Sequence, residues 1–231
     1  MENWRLEVSP KQTGRSNMQT DLQMFSVFEE GNIAPTLRIY SWQPRCITVG
    51  YGQKLEKQID LEKAQQLGWD VIQRPTGGGI VFHNEAEVTY SLVMAMNDPI
   101  LPKGLVPAYK KISEAVVAAL NYLGIKAGMA KIQDLERRAS NDGLCFSYPA
   151  EYEIVVGSKK IVGSAQKRGQ RALLQQGSIF VRKNDPKVFS VLKNDCGIEN
   201  SVSVEELLGR AVGFDALCKA LKQGFQECLD I

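Results

Sequence analysis

Between residues 17 and 29 the apolar side chains Met18, Leu22, Phe25 and Phe28 recur every three or four positions, which predicts a helix with one buried stripe. The same spacing predicts a short helix over 61–67, closed by Gly68. A longer helix is expected over 107–123. There Pro107 suits a first turn, Gly124 suits the position after the last, and Tyr109, Ile112, Val116, Ala119 and Leu123 share a face. Ser203 and Glu206 have capping-box spacing ahead of another short helix. Residues 214–229 complete the series, with Leu217, Leu221, Phe225 and Cys228 inward. Alternating or β-branched runs predict strands at 36–42, 47–49, 69–73, 80–82, 87–94 and 173–181. Residues 152–156 and 160–166 read as a hairpin turning at Gly157 and Ser158. Consecutive strands without long crossovers predict an α+β fold, with antiparallel or mixed sheets packed by helices. No repeat, low-complexity tract or linker interrupts the pattern.

Composition narrows the class only a little. A chain of 231 residues, 44% hydrophobic and 23% charged, can bury a proper core. A net charge of +2 carries no nucleic-acid footprint. The five cysteines (46, 145, 196, 218 and 228) form no C-x-x-C pair, which argues against a disulfide framework or a common zinc site. Residues 1–10 lack the apolar core of a signal peptide, and no apolar run approaches a membrane span. The expectation is a cytoplasmic protein with no membrane partner.

The chemistry concentrates in two segments. R-P-T-G-G-G-I-V-F-H-N-E-A-E-V-T-Y, residues 74–90, sets Gly77, Gly78 and Gly79 before a strand and contains the only histidine, His83. Glycine lacks Cβ, so a ligand can lie against such a backbone. The run lacks G-K-[ST] and G-x-G-x-x-G and so is neither a P-loop nor a dinucleotide fingerprint. One glycine there would mean a tight strand entry; three in a row favour a ligand-facing wall. Arg74 reads as an anchor for an anionic group or as a surface arginine. His83 reads equally as a pocket donor or as a satisfied structural histidine. The second segment holds Cys145 in N-D-G-L-C-F-S-Y-P, followed by G-S-K-K-I-V-G-S-A-Q. A loop cysteine alone is more often inert, and two hairpin lysines are more often solvated. A nearby ammonium favours thiolate, and of Lys159 and Lys160 alternation lets only one point into a pocket.

These motifs in this order resemble the lipoate–protein ligase and octanoyltransferase superfamily. R-P-T-G-G-G-I-V-F-H, T-Y-S-L-V, K-K-I-V-G-S-A-Q-K-R and L-L-Q-Q-G-S-I carry the resemblance, together with N-M-Q-T-D at 17–21, P-T-L-R-I-Y-S-W-Q-P at 35–44 and V-G-Y-G-Q at 49–53. It spans about residues 4–181 and implies a biotin/lipoate ligase-like α+β catalytic domain, expected to occupy 1–231 as one unit. C-F-S-Y-P-A-E-Y-E before the lysine strand resembles the cysteine-dependent octanoyltransferase branch. The resemblance then implies Cys145 as nucleophile and Lys160 as the charge that favours its thiolate. It implies Arg74, Gly77, Gly78, Gly79, Val81 and His83 at the substrate, with the glycine amides near an oxyanion and Val81 along an acyl tunnel. The implied donor is octanoyl-acyl carrier protein. The implied acceptor is a lysine of a lipoyl domain or of the glycine cleavage H protein. No cofactor is required. An ATP- and Mg-dependent lipoate ligase is the alternative enzyme, and a noncatalytic lipoyl-domain binder the third reading. Only about 50 residues follow Val181, little room for an accessory domain. Two positions depart from the family pattern: Gln73 stands for a usual arginine, and Asn84 for a usual aspartate.

Overall fold

The computed structural model describes residues 4–9, 11–130, 152–193 and 200–230. Its main sheet is mixed and seven-stranded, in the order β1-β2-β6-β10-β9-β8-β7. The strands are β1 (Arg5–Val8), β2 (Thr36–Tyr40), β6 (Val88–Ala95), β7 (Gly128–Met129), β8 (Ile154–Val156), β9 (Lys159–Arg168) and β10 (Ala172–Ile179). All its pairings are antiparallel except β1 with β2. A second sheet, ordered β4-β3-β5, combines β3 (Cys46–Val49), β4 (Asp70–Gln73) and β5 (Val81–His83). Among the described residues, no helix is long and apolar enough to cross a membrane.

The two faces of the main sheet differ chemically, and that difference positions the site. Along β6, Val88, Tyr90, Leu92 and Met94 join the principal core. That core also takes in helices α4 (Leu105–Tyr122) and α6 (Phe214–Leu229). Gly224 lets these helices approach: a Cβ there would strike the Ala115 carbonyl and lie 2.7 Å from the Ala119 amide. The opposite face carries Thr89, Ser91, Gln176 and Ser178, all buried. Helix α1 (Gly14–Glu29), capped by Thr13 accepting from the Ser16 amide, covers part of that face, and His83 of the small sheet meets it at Ser178.

Helix α1 corrects one detail of the expected pattern. Met18 and Phe25 are buried, but Leu22 is 43% exposed. Its place inward is taken by Asn17 and Asp21, one turn apart and fully buried. They receive Arg38 of β2: Nη1 donates to Asp21 Oδ1 at 2.8 Å and Nη2 to Asn17 Oδ1 at 2.8 Å. Tyr40 Oη and Ser91 Oγ also donate to Asp21, each at 2.8 Å. A buried ion pair is tolerable only with its remaining hydrogen-bonding capacity filled, and this one is filled from three strands, Gln176 of β10 donating as well. The other boundaries shift by a few residues. The strand expected over 36–42 stops at Tyr40, that at 80–82 is Val81–His83, and α4 begins two residues before Pro107. Helices α2 (Leu55–Gln58), α3 (Leu61–Gln66) and α5 (Val204–Leu208) and a 3-10 turn at Pro186–Val191 complete the described elements; α5 carries the expected capping box.

Candidate active site

A narrow pocket lies where the small sheet leans on the polar face of the large one. Thr48, Val81 and His83 come from the small sheet, and Thr89, Gly163, Ser164, Ala165, Gln176 and Gly177 from the large one. Tyr40 and Trp42 close one side, with Met18 of α1 and Arg74 at the rim. Of the residues expected at the substrate, Arg74, Val81 and His83 therefore meet in one wall. Gly77, Gly78 and Gly79 are not among its lining residues. Beyond Met18 and Arg74 the surface widens into a depression with Arg15, Leu22, Tyr51, Gln73 and Lys167.

Arg74 is no surface arginine. It is 6% exposed and turned onto the loop that follows it. Its Nη2 donates to the Gly77 carbonyl at 2.6 Å, while Nη1 reaches Thr48 O at 3.3 Å and Oγ1 at 3.2 Å. The guanidinium thus fastens the glycine loop to β3. Gly78 has φ +86°, a left-handed value that glycine adopts without penalty. Its carbonyl fills the space that a Cβ on Gly50 would need. Thr76, just ahead of the glycines, donates to Gln176 Oε1 at 2.8 Å, and Gln176 Nε2 donates to Asp21 at 2.7 Å. The loop is therefore tied through the pocket wall to the Arg38 cluster.

His83 is fully enclosed. Its ring stacks on Trp42 at 3.9 Å and 16°. Nε2 lies 2.9 Å from Thr48 Oγ1, and Nδ1 3.2 Å from Ser178 Oγ. Burial, reinforced by the nearby Arg74 charge, holds its pKa well below the usual imidazole value. Both ring nitrogens have partners in the wall, which fits the reading of a satisfied structural histidine.

Lys160 is buried and paired with the Glu153 carboxylate, whereas Lys159 is exposed. A bulge accounts for its direction. Val155 pairs with Lys160 but Ile154 pairs with Val162, which leaves Ile161 as an extra residue in β9. Ile161 and Val162 both enter the principal core, although they are consecutive. The extra residue returns Lys160 to the side of the strand that presents Gly163 and Ala165 to the pocket. Lys160 itself stands beyond the lining. Cys145 falls outside the described residues. Cys46 and Cys218 are buried thiols, and burial raises both, Cys218 to about 11 and Cys46 further.

The two departures from the family pattern have local reasons. Gln73 Nε2 bridges the carbonyls of Tyr51 and Gln53 at 2.8 and 2.9 Å. Asn84 Nδ2 donates to Arg182 O at 2.9 Å and to Asn184 Oδ1 at 2.8 Å, while its Oδ1 accepts from the Ala86 amide. An aspartate could make only the last of these three bonds. Sequence reasoning did not find Asp21, Arg38, Trp42, Gln176, Ser178 or Glu87. The available signals were a lone arginine in an otherwise apolar strand and a polar pair at helical spacing on an apolar stripe.

The chain is similar to known proteins along most of its length. A family profile described as the lipoyl protein ligase A/B catalytic domain matches residues 13–226. The octanoyltransferase LipM of Clostridioides difficile is 33% identical over 100% of this chain and 89% of its own length. That of Moorella thermoacetica is 37% identical over 91% of this chain and 81% of its own. Among solved structures, a lipoate-protein ligase A bound with ATP superposes with a TM-score of 0.79 at 27% identity, covering 100% of this chain and 87% of that one.

Proposed function

This chain belongs to the lipoyl protein ligase A/B catalytic-domain family, and we propose that its reaction is octanoyl transfer onto a lipoyl-accepting protein by way of a cysteine thioester. The observation that carries the reading is likeness to octanoyltransferases at 33–37% identity over 91–100% of this chain, around a pocket lined by Trp42, Tyr40 and the neutral His83. The proposed donor is an octanoyl thioester on acyl carrier protein. The Cys145 thiolate attacks its carbonyl, an octanoyl–Cys145 thioester forms and the carrier thiol leaves with a proton. The lysine amine of a lipoyl domain or an H protein then attacks the enzyme thioester. An amide forms, the Cys145 sulfur leaves, and the amine's proton passes to it or to solvent. Thioester exchange is close to neutral and amide formation is downhill, so neither step needs ATP. Lys160 favours the thiolate and the charge that develops beside it. Val81, Trp42 and the stacked His83 suit an apolar tail. Arg15 and Lys167 at the outer depression suit an anionic carrier.

The test is an acyl-transfer assay with purified protein, octanoyl-carrier and an apo lipoyl domain, with and without ATP. The expected result is octanoyl-lysine on the acceptor at the same rate in both arms. Transfer only with ATP and a free acid would favour the lipoate ligase reading, to which the solved ligase relative lends support.

A second expectation concerns the loop. Gly78→Val places a branched side chain at φ +86°, at a cost of about 1–3 kcal/mol, and displaces the loop that Arg74 holds. Thermal unfolding should fall by several degrees and the donor KM should rise. A variant that remains folded with unaltered donor kinetics would remove Gly78 from the site.

A further inference from the structure

Glu87 is a buried acid with no part in the proposed acyl transfer. It is fully buried just before β6, and among the described residues its Oε2 has no hydrogen-bond partner. No ion pair among the described residues reaches it. Burying a carboxyl in this way is costly, so the contact it does make bears the explanation. Oε1 accepts from Ser178 Oγ at 2.9 Å.

That contact closes a chain whose direction is set at its ends, because a guanidinium and an indole N–H can only donate. Trp42 Nε1 donates to Thr89 Oγ1 at 2.9 Å, which leaves the Thr89 proton for Ser178 Oγ at 3.0 Å. Arg74 Nη1 donates to Thr48 Oγ1, which leaves the Thr48 proton for His83 Nε2. With every hydroxyl proton used inside the chain, the His83 proton sits on Nδ1 and points at Ser178. Ser178 accepts twice and gives its own proton to Glu87. Six contacts take six protons, with none left over while the imidazole is neutral. A proton on Glu87 Oε2 lies outside the chain and leaves its direction unchanged.

We propose that Glu87 is a positioning residue for the pocket: through Ser178 it fixes His83 as the Nδ1–H tautomer and reserves Nε2 as the acceptor for Thr48. The ring then spends both nitrogens inside the wall and keeps its stack on Trp42. It offers the pocket a neutral surface and no proton, which suits an apolar acyl tail. The same chain runs through Arg74 to the Gly77 carbonyl. One charged group bears directly on the ring, Arg74, which lowers its pKa; the Glu87 carboxyl reaches the ring only through Ser178. Burial raises the Glu87 pKa, and the Ser178 bond opposes that shift.

The inference rests on the proposed acyl transfer only for its kinetic readout; the spectroscopic one stands without it. The chain has a single histidine, so nitrogen-15 labelling of histidine reports one ring. The wild-type protein should show a protonated, pyrrole-type Nδ1 and an unprotonated, pyridine-type Nε2, unchanged through pH ~6.5 where free imidazole titrates. Glu87→Gln keeps a carbonyl for Ser178 and should keep that spectrum. Glu87→Met frees Ser178 to donate to Nδ1, and should shift the population towards Nε2–H while raising the donor KM more than it lowers kcat. An Nε2–H ring in the wild type would overturn the proposal, as would a wild-type spectrum in Glu87→Met or a Met-like spectrum in Glu87→Gln. If Glu87→Met fails to fold, the wild-type tautomer decides alone.

Discussion

Lys160→Ala is expected to lower octanoyl transfer by about 100-fold or more, the scale of a positioned charge or proton carrier, while leaving the fold in place. The expectation follows from the strand itself. The extra residue in β9 turns Lys160 to the pocket side, and the Glu153 carboxylate holds its ammonium there. Lys159 is exposed on the hairpin, so Lys159→Ala should retain nearly full activity. Removing one partner of a buried pair costs on the order of 3–5 kcal/mol, which could be mistaken for a catalytic loss. Lys160→Ala combined with Glu153→Gln avoids that ambiguity by removing both charges. The double variant should regain thermal stability over Lys160→Ala and remain inactive. Transfer at the wild-type rate in either folded variant would remove Lys160 from the reaction.

How far the sequence disclosed this arrangement depended on how local each signal was. Helix α6 was legible to its bounds, because an amphipathic stripe lies wholly within its own sixteen residues. The capping box of α5 was legible for the same reason. Strand β1 escaped notice: Arg5–Val8 is an edge strand with an exposed or half-exposed pattern, and its parallel partner lies far along the chain, with Arg5 opposite Thr36. The inward face of α1 was misjudged at Leu22, because the rule that apolar residues turn inward does not foresee an arginine on another element that needs Asn17 and Asp21. At the site, Arg74, Val81 and His83 are legible in the sequence and line the pocket. Their partners Thr48, Ser178 and Gln176 were not, because hydroxyl and amide side chains in strands look ordinary until the two sheets bring them together. The direction of Lys160 was anticipated by contrast with Lys159. The bulge that produces it cannot be read from K-K-I-V-G-S-A-Q alone, since strict alternation would put Lys160 on the side of Ser164.

The account stands or falls on Cys145, placed by its context C-F-S-Y-P ahead of the lysine strand. The other reduced cysteines among the described residues offer no rival: Cys46 and Cys218 are buried with raised pKa values, and Cys228 sits half-buried on α6, also raised. Substituting the nucleophile should abolish transfer. Cys145→Ala is expected to give no turnover, and Cys145→Ser at most a trace, because a hydroxyl is a poorer nucleophile near neutral pH. The most direct measurement is the intact mass of the enzyme after mixing with octanoyl-carrier alone, without ATP or acceptor. One added octanoyl group is predicted, removable by hydroxylamine as a thioester is, mapped to Cys145 and absent in Cys145→Ala. An unmodified wild-type enzyme, together with full ATP-dependent acylation by Cys145→Ala, would contradict the transferase and establish the ligase in its place.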